Sequence, residues 1–132
     1  MKNKLLLGVG FFVVSGLAWA HHAATMYDQD KPLTMKGVVT EFHFTNPHSA
    51  VLIEVKDASG NTTIWKAEGA PPARLVRAGW GTKTLKPGDE ITVTCIPVKY
   101  SKIITPDKPS DRNRCLVRSL VGPGNVRLEG SE

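Results

Sequence analysis

The stretch from Leu33 to Val55, LTMKGVVTEFHFTNPHSAVLIEV, constrains the fold of this chain more than any other. It alternates apolar with polar residues, breaks at Thr45-Asn46-Pro47-His48, and then alternates again. Period-two alternation on both sides of a short break is the pattern of two antiparallel strands joined by a turn. In the first strand Leu33, Met35, Gly37 and Val39 share one face, whereas past Thr40-Glu41 the apolar residues are Phe42 and Phe44. This change of parity predicts a bulge, and Gly37 just upstream lets the strand coil sharply. A strongly bent first strand is what a small closed barrel needs.

Further elements follow in an order that narrows the architecture. Val51, Ile53 and Val55 make one face of the second strand, and the polar turn Asp57-Ala58-Ser59-Gly60-Asn61 leads into a third, Thr62 to Glu68. Pro71 and Pro72 before Ala73–Ala78, with Leu75 and Val76 to bury and Gly79 to close, predict a helix of about two turns. Ile91, Val93 and Cys95 alternate as a fourth strand after the turn Thr84–Asp89. The run Lys99 to Asp111 is an exposed loop, and Arg114 to Val121 is a fifth strand with Cys115, Val117 and Ser119 on one side. A last short strand runs through Val126 and Leu128. Three strands, a helix and two more strands predict a mainly β fold: a five- to six-stranded OB-like barrel with one short helix between strands three and four. A β-sandwich is the alternative.

The beginning of the chain speaks to compartment. Lys2 and Lys4, an apolar run from Leu5 to Leu17 and then Ala18-Trp19-Ala20 have the form of a cleavable export signal, residues 1–20, with the cut before His21. The apolar run is shorter than the roughly 20 residues that span a bilayer, so no integral membrane span is expected. Loss of Lys2 and Lys4 lowers the formal net charge of +5 by two, to +3. Residues 21–32 read as an extended arm, and 33–132 as one barrel domain. A periplasmic or secreted protein meets an oxidising compartment, which favours a disulfide between Cys95 and Cys115 over two buried thiols.

The pieces His21-His22, Lys31–Gly37, Thr45-Asn46-Pro47-His48, Val55-Lys56-Asp57, Ala78-Gly79-Trp80 and Leu85–Asp89 give the chain a likeness. It resembles an uncharacterised family of short exported bacterial proteins, domain-of-unknown-function family 6152. The mature chains of that family begin with paired histidines and carry a Thr-Asn-Pro-His turn. The resemblance runs from His21 to about Val98 and implies export and this fold, with no established activity. It departs at Ala50 and Val51, where the family tends to an aromatic residue, and in the length of the Lys99–Asp111 loop.

The sharpest chemical expectation is a metal site at a new N-terminus. If His21 is first, its α-amine, with an ordinary pKa around 8, and its imidazole chelate one ion together. His48 or His22 would add a third nitrogen, an arrangement like the histidine brace of exported copper proteins. A fully extended arm of this length reaches about 35 to 40 Å, enough to fold back to the first turn. The second expectation is an envelope ligand-binding or structural module with no metal. Trp65 and Tyr100 would stack on a ligand, and Lys102 and Arg114 would contribute to a basic rim for an anionic envelope component. Asp107 and Asp111 interrupt that rim, and exported proteins seldom meet nucleic acid, so none is expected as a partner. There is no Gly-x-Ser-x-Gly elbow and no cysteine in an activating setting, so binding rather than catalysis is the expectation.

Overall fold

A computed structural model describes residues 26–99 and 113–129. Its elements are β1 (Leu33–His43), β2 (Ala50–Lys56), β3 (Thr62–Glu68), α1 (Pro72–Arg77), β4 (Glu90–Pro97), β5 (Arg114–Val121) and β6 (Arg127–Glu129). The strands form one sheet in the order β3-β2-β1-β4-β5-β6, and an additional parallel pairing of β3 with β5 closes the first five into a barrel. β6 lies outside the closure as an extra strand on β5. The mainly β, OB-like barrel with one helix between the third and fourth strands is therefore the observed architecture.

β1 makes closure possible by serving two partners. Its first half pairs with β4, from Leu33↔Cys95 to Val38↔Glu90, and its second half pairs with β2. The β1–β2 register slips between Val39 and Glu41, so Thr40 is the extra residue of a bulge. This slip carries Val39 inward on one side and Phe42 on the other, which is the parity change visible in the sequence. Gly37 sits where β1 presses closest on β2. A Cβ there would stand 2.5 Å from both the Glu54 carbonyl oxygen and Ile53 Cγ2, so no larger side chain fits without movement.

The barrel interior is filled by Val39, Val51, Ile53, Ala67, Val93, Cys95, Cys115, Val117 and Leu120, all buried. Cys95 and Cys115 form a disulfide between β4 and β5, with Cα atoms 5.6 Å apart. The inward face of β5 differs from the sequence expectation. A register slip between Thr94 and Cys95 leaves Arg118 as an extra residue, so Leu120 rather than Ser119 turns into the core.

One end of the barrel is stoppered by the β3–β4 connection. The Gly79 amide donates to the Val76 carbonyl and the Trp80 amide to that of Leu75, with Gly79 at φ +84°. This glycine-terminated helix end turns the chain back and drives Trp80 inward. Its indole Nε1 donates to the Arg127 carbonyl at 3.3 Å and its ring meets Phe42 edge-on at 6.1 Å. Among the described residues no helix is long and apolar enough to cross a membrane.

Candidate functional site

The Thr45-Asn46-Pro47-His48 turn joins β1 to β2 at the end of the barrel where Ala50 pairs with Glu68. Thr45 through His48 are exposed, and the Asn46–Pro47 bond is cis. The next residue, Ser49, is buried and anchors the turn. Its amide and its hydroxyl both donate to the Ala70 carbonyl, at 3.2 and 2.7 Å, and its own carbonyl accepts from the Gly69 amide at 2.9 Å. Gly69 leaves room for this clamp, since a Cβ there would stand 2.9 Å from Ser49 Oγ. The imidazole of His48 is thus displayed to solvent from a turn whose base is fixed.

The chain before β1 docks beside the C-terminal end of β4, next to the start of β1. The Asp28 amide donates to the Pro97 carbonyl at 2.8 Å and the Lys99 amide to the Met26 carbonyl at 2.7 Å, so Met26–Asp28 extends the pairing of β4 past its end. The Tyr27 hydroxyl then donates to Glu68 Oε2 at 3.1 Å. Glu68 also accepts from Arg114 Nη2 at 2.6 Å and lies 3.5 Å from Lys66 Nζ. Burial pushes the Tyr27 phenol up to about 12, reinforced by the neighbouring Glu68 carboxylate. Burial alone would raise Glu68, but the hydrogen bond and charge of Arg114 outweigh it and hold the carboxyl below its ordinary value.

The remaining expected site residues fall as follows. His21 and His22 lie outside the described residues, as do Tyr100 and Lys102. Trp65 is half-buried on β3 opposite Ile53 and packs against the core. Arg114 is half-buried and engaged with Glu68, and its Nε is buried with no partner among the described residues. His43, exposed on β1, pairs with Glu41 at 2.6 Å. Among the described residues no group of three or more His, Cys, Asp or Glu side chains is clustered to hold a metal.

Tyr27 and Glu68, which fasten the arm to the barrel, were not apparent from the sequence. The arm shows no periodicity, and their pairing spans 41 positions. No curated protein matches the chain. The family described as Family of unknown function (DUF6152) matches residues 10–104, a span that takes in the arm, the Asn-Pro-His turn and every element from β1 to β4, and the chain belongs to that family.

Proposed function

We propose that this chain is an exported, periplasmic binding protein that holds a copper ion through its mature N-terminus. The α-amine and imidazole of His21 supply two nitrogens, and His48 supplies a third, with His22 as the alternative donor. Nitrogen-rich ligation of this kind suits copper(II). The observation that carries the reading is the Tyr27–Glu68 hydrogen bond. Glu68 is the cross-strand partner of Ala50, two residues beyond His48, so the arm is bonded to a residue paired with the strand that the turn leads into. The six residues from His21 to Tyr27 span about 20 Å when extended.

The alternative, a metal-free module using an aromatic and basic face for an anionic envelope component, draws less support. Trp65 is committed to core packing and Arg114 to Glu68. Intact-mass measurement of the exported chain tests the proposal at its root. A first residue of His21 is the expected result, followed by tight copper binding that His21→Ala removes. Any other first residue ends the chelate.

A further inference from the structure

We infer that the cavity between α1 and β6 is a binding site for a phosphate group. This cavity, about 360 Å³ in volume, is lined by Arg74 and Arg77 of α1 and Arg127 of β6, above Leu75 and Leu128. Both leucines are buried, while all three arginines are exposed. Arg74 and Arg77 are three residues apart and so lie on the same side of the helix. Arg127 is brought to them by the pairing of Val121 with Arg127 and by the Trp80 indole, which donates to the Arg127 carbonyl.

Among the described residues no carboxylate lines the cavity, and none of the three arginines forms an ion pair with another described residue. Three like charges from two elements line one cavity with no counter-charge among the described residues, which makes it attractive to an anion. A single guanidinium fork satisfies the two oxygens of a carboxylate. Three guanidinium groups carried on two elements offer donors enough for the several acceptor oxygens of a phosphate. The helix end does not oppose this, because the carbonyls of Leu75 and Val76 already accept the amides of Ala78, Gly79 and Trp80. The phosphate can belong to a soluble molecule or to a lipid headgroup, and Val76, 58 % exposed on the same helix, would meet the acyl region in the second case. This site is independent of the copper reading.

Amide NMR shifts of the full mature chain, titrated with sodium phosphate against sodium chloride at matched ionic strength, test the assignment. Saturable shifts at residues 74–78 and 126–128 are expected with phosphate, about tenfold weaker in R74Q/R127Q, as expected from the loss of charge-assisted hydrogen bonds. The second arm is sedimentation with phosphatidylglycerol or phosphatidylcholine vesicles. Binding confined to phosphatidylglycerol and lost in R74Q/R127Q and in V76S assigns the phosphate to a lipid headgroup. Saturation by inorganic phosphate without vesicle binding assigns it to a soluble molecule. The inference is overturned if phosphate acts no differently from chloride and neither vesicle distinguishes wild type from R74Q/R127Q.

Discussion

The Tyr27 hydroxyl donates to Glu68 Oε2 across 3.1 Å, fastening the segment before β1 to the last residue of β3. Tyr27→Phe keeps the ring and deletes only this bond. The expected cost is about 1 kcal/mol in urea denaturation. Faster exchange of the Asp28 and Lys99 amides, which bond Pro97 and Met26, should accompany it.

The same pair contributes to both limbs of a pH profile. The Glu68 carboxyl is held low in the fold, so its contribution is present above the ordinary carboxyl value near 4.5 and is lost as pH falls through the lower, folded value. Tyr27 has the opposite sign. Its phenol is raised from 10.0 to about 12, so the folded chain retains a proton that the unfolded chain releases, and stability declines as pH rises between those values. Glu68→Gln should flatten the acid limb and Tyr27→Phe the alkaline one, as read by the denaturation midpoint across pH.

Gly37→Ala should destabilise by about 1 to 3 kcal/mol through overpacking, since its Cβ would collide with the Glu54 carbonyl and Ile53. Gly79→Ala has open space around it, yet its φ of +84° strains an L residue, at a cost of about 1 kcal/mol. Thermal unfolding of the two variants should rank them in that order.

Replacing Cys95 and Cys115 together by alanine removes a bridge that closes a 20-residue separation. Loop-closure entropy sets the expected loss at about 3 kcal/mol. Because both positions are fully buried, the alanines also leave a cavity, so the reduced wild-type chain, which keeps both sulfurs, should be destabilised less than the double variant. Calorimetry with and without reductant compares them.

The barrel was legible in the sequence because its sharpest bend changes which residues are apolar. The shift from Val39 to Phe42 around Thr40 marks the bulge in β1, the strand that pairs with both β2 and β4. The bulge at Arg118 left no such mark. Arg118 and Ser119 are both polar, so the pattern runs smoothly through Ser119 and hides the inward turn of Leu120. Contacts between distant segments left no period to read either. A pairing as short as Met26–Asp28 is below the length at which alternation shows, and the shared cavity of Arg127 and Arg74 joins residues 53 positions apart.

The copper(II) affinity of the chain beginning at His21, compared with that of its His48→Ala variant by competition titration, tests the central claim most directly. His48 is exposed in its turn, so the substitution leaves the barrel intact. Loss of one of three nitrogen ligands predicts binding at least about tenfold weaker in the variant. Equal affinity in the two proteins would contradict the account and reduce any copper bound to a simple terminal chelate.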